Sequence, residues 1–180
     1  MYTTGVRDSL DERRSRRADR YDEMREGVLY AAPMPSMRHQ LVRSELMMDL
    51  FHVGRARGLR VAGGLGFFQA DDDYRVVDIA AYRLEQTTPR GLEAAAELLV
   101  EIVEPGDESR VKLPWYAARD VDEVMLVDCE TLAVELYACE TGVPVRVEPA
   151  YSKVLDCTFT TLDSEHLEVA GPDGTVLVSP

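Results

Sequence analysis

Lysine is almost missing from this chain: of its 20 basic residues, 18 are arginine and only Lys112 and Lys153 are lysine. Where arginine is the default cation, a lysine stands where arginine will not serve, because it is a compact donor whose pKa responds to its surroundings. Cysteine is scarce as well. Cys129, Cys139 and Cys157 are an odd number at spacings unlike a metal knuckle, which argues against a disulfide framework and a zinc site. Reduced thiols in a cytoplasmic protein are the expectation. No apolar run approaches the roughly 20 residues that span a bilayer. The N-terminal stretch "MYTTGVRDSLDERRSRRADR" has no apolar segment of the kind a secretory signal needs. Neither a membrane span nor an exported protein is expected.

What is present suits one folded domain. At 180 residues, 46% apolar and 29% charged, the chain is long enough to bury a core. Its net charge of −13 is unevenly placed: from Asp120 onward 13 acidic residues meet only Arg146 and Lys153, a balance of −11. The first 119 residues hold 20 acidic and 18 basic groups, so a local basic face is open to them although the global charge does not favour one. The expected organisation is a charged arm over residues 1–20, a core over 21–140, and a β-rich extension of the same domain over 141–180.

Local signals give the elements. A turn at Gly27 leads into a strand over Val28–Ala32, stopped by Pro33 and Pro35. Ser36 is a plausible N-cap for a helix carrying Leu41, Val42, Leu46, Leu50 and Val53, which Gly54 or Gly58 can end. "LRVAGGLGFFQA" reads as two short strands broken at Gly63–Gly64. After a turn at "DDD", "YRVVDIAAYRL" is another strand, and "LLVEIVEP" one more. The helix in "GDESRVKLPWYAARDVDE" either kinks at Pro114 or starts near Leu113, with Asp107 or Ser109 as cap. "EVMLVDC" and "TLAVELYAC" form a hairpin, and "VPVRVEPAY" and "KVLDCTFTTL" add β segments before a turn at "GPDG". The order argues for a mixed sheet flanked by helices, an α/β or α+β fold.

Two strands carry an acid where the pattern calls for an apolar residue: Asp78 after Val76 and Val77, and Glu101 inside Leu98–Val103. A carboxylate in such a setting is costly to bury without a partner. Two on adjacent strands repel unless a cation lies between them. A hard divalent ion such as Mg²⁺ suits the pair, and a nearby lysine can position a water for attack on a phosphodiester. Taken singly, each residue has a plainer role: Glu101 in a structural ion pair, Lys112 on a solvated helix face, Glu23 on the surface, His39 as a core or capping group. It is their order that suggests a site.

That order resembles the Uma-two restriction-endonuclease family, within the PD-(D/E)XK nuclease superfamily. The resemblance runs from about Tyr21 to Tyr137, through "YDEMREGVLY", "PSMRHQLV", "VVDIAAY" and "LLVEIVEPGDESRVKLPWYAARDVDEVMLVDCE". It implies a restriction-endonuclease-like mixed sheet flanked by helices, with Asp78 and Glu101 holding Mg²⁺ or Mn²⁺ and Lys112 as the catalytic lysine. Glu23 would be an additional ligand, while His39 and Tyr116 would steady the ligands or touch substrate. The superfamily's usual lysine slot, two residues past the glutamate, is Val103 here. Val77 replaces a proline and Glu104 a serine. DNA is the implied partner, and a homodimer is expected by analogy with nucleases that cut two strands. The competing expectation is a nuclease-like fold with a weak or inactive site, serving as a binding or assembly module.

Overall fold

The computed structural model describes Glu12, Arg13, Ser15 and residues 19–180. Most of the charged arm expected over residues 1–20 lies outside them. In chain order the elements are β1 (Glu23–Arg25), β2 (Val28–Tyr30), α1 (Met37–Ala56), β3 (Arg60–Ala70), β4 (Asp73–Tyr82), β5 (Thr87–Thr88), β6 (Gly91–Glu93) and β7 (Ala95–Val103). Then come α2 (Ser109–Ala117), β8 (Asp120–Asp128), β9 (Val134–Ala138), β10 (Val145–Val147), β11 (Tyr151–Ser152), β12 (Cys157–Thr161), β13 (Leu167–Gly171) and β14 (Gly174–Val178).

Among the described residues, the strands up to β10 form one mixed sheet, ordered β10-β9-β8-β7-β4-β3-β6-β5, with the β1–β2 hairpin attached to the start of β4. β11 to β14 make a separate four-stranded antiparallel sheet. β7 and β8 are parallel and joined by α2, the crossover that a parallel pair requires. This is the mixed, helix-flanked α+β sheet that the sequence led us to expect.

Three layers follow from where the apolar side chains point. Val42, Leu46 and Leu50 of α1 pack on Ile79, Val100 and Ile102 of the large sheet, and Phe159 and Val169 of the small sheet join the same cluster with Leu155 of the β11–β12 turn. Leu113, Tyr116 and Ala117 of α2 cover the opposite face, against Phe67, Val77, Leu99 and Val124. Ser36 caps α1, its hydroxyl accepting the His39 N–H at 3.1 Å.

Two local expectations change. β3 is a single strand running through Gly63 and Gly64. The glycines serve close approach rather than a break: a Cβ on Gly63 would lie 2.9 Å from the Asp78 carbonyl oxygen, and Gly64 adopts a φ of +66°. α2 begins at Ser109, not near Leu113, and carries Pro114 inside it. The Asp107 carboxylate accepts the Ser109 N–H, which starts the helix early and places Lys112 and Tyr116 one turn apart on one face.

The pleat slips at Asp78. Val77 and Ala80 pack toward α2, whereas Ile79 and Ala81 pack toward α1. Strict alternation would put Val77 and Ile79 on one face. Asp78 sits at the irregularity, opposite Gly64, since Gly63 pairs with Ile79 and Leu65 with Val77.

Candidate active site

β4 and β7 run antiparallel through Ala81–Leu98, Ala80–Leu99 and Ile79–Val100, and their paired register ends there. One step further, the register sets Asp78 opposite Glu101. The strands part at this point, and the Ile102 N–H donates to Asp78 Oδ2 at 2.9 Å instead of joining a backbone ladder. His39, on the first turn of α1, reaches the same oxygen through Nε2 at 3.2 Å.

Glu101 is held from the other face. The Lys112 ammonium donates to its Oε1 at 3.1 Å and the Tyr116 hydroxyl donates to it at 2.5 Å. Lys112 also donates to Glu23 Oε1 at 2.9 Å, so one ammonium bridges two carboxylates. Glu23 receives the Val76 N–H at 3.3 Å and is gripped on Oε2 by the Arg25 guanidinium at 3.0 and 3.2 Å. Arg25 continues outward to Glu108 at 2.7 Å. Nothing in the sequence pattern singled out Arg25. Its only signal was its position two residues after Glu23, which on a strand puts both side chains on one face.

All six residues of interest therefore meet in one place. Glu23, His39, Asp78, Glu101 and Lys112 line a cavity of about 120 Å³ together with Glu104 and Asp107, and Tyr116 lies buried behind Glu101. The cavity adjoins a broader cleft of about 600 Å³ lined by Arg25, Tyr30, Pro33, Glu104 and Glu108. Val103, the alternative lysine slot, is buried in the core under α2. Glu104 has a structural use as well: its carboxylate accepts the Ser36 N–H at 3.3 Å, placing negative charge at the start of α1.

The electrostatics are those of an acid cluster short of positive charge. Burial pushes the Glu101 carboxyl up to about 7, with the Lys112 ammonium opposing the rise and the charges of Asp78 and Glu23 adding to it. Burial works against the Lys112 charge, but Glu101 and Glu23 outweigh it and hold the ammonium above its ordinary range. Burial and the neighbouring Glu101 both raise the Tyr116 phenol, so it stays a donor. His39 is also raised, the Asp78 carboxylate outweighing burial.

A hard divalent ion fits this chemistry in part. The donors are carboxylate oxygens, and no hydrogen bond among the described residues reaches Asp78 Oδ1 or Glu101 Oε2. The carboxylates are not drawn together, however: among the described residues no three acids, histidines or cysteines are gathered as an ion would gather them. Lys112 supplies the nearest positive charge.

Comparison with known proteins gives a family and a fold. The family model described as "Uma2: Putative restriction endonuclease" matches residues 9–161. No curated protein matches the chain. Among solved structures, one titled a "putative nuclease belonging to DUF820" from Anabaena variabilis superposes with a TM-score of 0.55 at 22% identity, covering 72% of this chain and 78% of that one. At that identity the likeness speaks for the fold. The match over residues 9–161 takes in the whole site, and on it the chain belongs to the Uma2 restriction-endonuclease family.

Proposed function

We propose that the protein is a divalent-metal-dependent endonuclease that hydrolyses phosphodiester bonds, with DNA as substrate. The observation that carries this reading is the register: Asp78 and Glu101 stand opposite each other where β4 and β7 part, with Lys112 reaching in from α2. Family membership supports the same class of reaction.

Asp78 and Glu101 would hold Mg²⁺ or Mn²⁺, with Glu23 as a further ligand. The ion, when bound, supplies charge neutralisation at the phosphate and eases ionisation of the attacking water. The protein's own groups do the rest. His39 and the Ile102 N–H fix the Asp78 carboxylate, and Tyr116 fixes Glu101. Lys112 stays charged beside its two carboxylates, so its part is to donate hydrogen bonds and steady the developing negative charge, not to remove a proton.

The test is cleavage of supercoiled and single-stranded DNA with Mn²⁺, comparing the native protein with Asp78→Ala and Lys112→Ala. Each substitution is expected to lower the rate by roughly a hundredfold or more. Cleavage that survives both changes refutes the assignment. Absence of cleavage by the native protein turns the balance to the binding-module reading, which the acidic lining of the cleft at Glu104, Asp107 and Glu108 favours.

A homodimer and a cytoplasmic setting belong to the same proposal. The three cysteines are free and buried, and no described helix is long and apolar enough to cross a membrane. On the face of α1 turned from the core, Met37, Leu41, Met48 and Phe51 are 76%, 44%, 53% and 42% exposed. With Ser44 they follow a 4-3-4-3 spacing, the apolar seam of a helix pair. Turned antiparallel about Ser44, two copies bring Met37 onto Phe51 and Leu41 onto Met48, with the small Ser44 at the crossing. A two-fold interface needs that kind of self-complementarity.

A further inference from the structure

Arg43 is an arginine with no partner among the described residues of a strongly acidic protein. Arg25, Arg75 and Arg119, three arginines near the site, each bond a carboxylate. Arg43 has no hydrogen bond or ion pair among the described residues, and its Nε is buried with nothing to donate to. A buried donor left unmatched is costly, and in a chain of net charge −13 an internal carboxylate would be the ordinary remedy.

Its position is informative. Arg43 lies four residues past His39, on the same face of α1, so the two side chains are neighbours. Its guanidinium sits over Gly64: a Cβ built there would find Arg43 Nη1 at 3.8 Å and nothing else within 4 Å. Gly64 in turn stands opposite Asp78. Arg43 therefore lies on the α1 face of the sheet over β3 and Lys112 on the α2 face, with Asp78 on β4 and Glu101 on β7 between them. Cations flank the two acids, and Arg43 and Gly64 are both partly exposed.

We propose that Arg43 binds a non-bridging oxygen of a substrate phosphate next to the one being cleaved, as a substrate-positioning residue on the β3 side of the site. The inference rests on the nuclease reading and makes it more specific. Arg43 and Lys112 reach the site from opposite faces of the sheet, with the parting of β4 and β7 between them, so they do not share one phosphate. The substrate is then a polynucleotide strand with phosphates on both sides of the cut, and the planar guanidinium donates to such an oxygen in a fixed direction where an ammonium is a point charge.

The experiment compares native protein, Arg43→Gln and Arg43→Lys, each checked by thermal melt. Binding of a labelled oligonucleotide is followed by anisotropy across a salt series with Ca²⁺, and Mn²⁺-dependent cleavage by kcat and KM. Arg43→Gln is expected to bind roughly five- to tenfold more weakly, with the slope of log K against log salt reduced by about 1. The loss in cleavage should appear in KM more than in kcat, and should be smaller on bis(4-nitrophenyl) phosphate, which has a single phosphate. Arg43→Lys should recover part of the affinity and most of the salt slope. Equal affinity and salt slope in the native and Gln proteins overturn the proposal while leaving the nuclease reading intact. A native protein that neither binds nor cuts the oligonucleotide overturns both.

Discussion

Lys112 bonds two carboxylates whose side chains are 7% and 4% exposed, Glu23 and Glu101. Removing one partner of a buried ion pair strands the other, at about 3–5 kcal/mol. Lys112→Ala should lose stability on that scale near neutral pH, measured by urea denaturation. Glu101 adds a pH dependence with a definite sign. Its carboxyl is raised to about 7, above its ordinary 4.5, so its contribution is fully present below 4.5 and is lost as pH rises through about 7. The urea midpoint should therefore fall across that window, and Glu101→Gln should flatten it. A bound divalent ion needs the ionised carboxylate, so Mn²⁺ should raise the melting temperature more at pH 8 than at pH 5. Asp78→Ala should abolish that gain. Residue types at these positions were readable in the sequence because a charge inside an apolar strand is conspicuous. Their partners were not: nothing local says that Tyr116 faces Glu101 or that the Ile102 N–H faces Asp78.

At the scale of elements, the β3–β4 pair carries the site through the close approach at Gly63. A methyl group there would meet the Asp78 carbonyl oxygen at 2.9 Å and Met47 Sδ at 3.0 Å. Backbone in mid-sheet yields little, so Gly63→Ala should cost about 1–3 kcal/mol and shift Asp78. Its cleavage rate should fall further than the stability loss explains. Gly58→Ala is the matching control: its φ of +75° makes it strained by about 1 kcal/mol, but nothing lies within 4 Å and the site is distant in the fold. Comparing melts with initial rates for the two variants separates displacement of Asp78 from general destabilisation. Helix α1 was legible from its cap and its periodicity. The glycine pair misled, because turn-forming glycines and close-approach glycines look alike until the neighbouring strand is known. Pro114 left two starts open for α2, and the Asp107 carboxylate bonding the Ser109 N–H decided between them.

Over the whole molecule, one buried and one partly exposed polar group fasten the small sheet to the rest. Glu123 on β8 accepts from the Ser152 hydroxyl, the Lys153 N–H at 2.7 Å and the Val154 N–H at 3.4 Å. Arg38 on α1 donates to the Cys129, Ser164 and Pro180 carbonyl oxygens at 3.1, 2.7 and 2.6 Å. Glu123→Ala leaves buried donors without an acceptor, each worth about 1–3 kcal/mol. Hydrogen exchange should then lose protection first over residues 151–178, ahead of β7 and β8. The outer seam of α1 gives a second test at this scale. Met48→Glu should turn a dimer into a folded monomer by light scattering, with the melt of the monomer little changed because Met48 is already 53% exposed.

The sequence by itself determined the chemistry available here. It placed two acids inside apolar strands, one lysine in the following helix and a capped helix carrying a histidine, because burial cost and periodicity leave their mark on local patterns. Tertiary structure alone decided the rest: that the β4–β7 register carries Asp78 opposite Glu101, that one ammonium serves both Glu23 and Glu101, and that the last 30 residues form a second sheet sharing the α1 core. Register is a choice between strands far apart in the chain, and it is settled by the packing of both faces at once. No single segment contains that information.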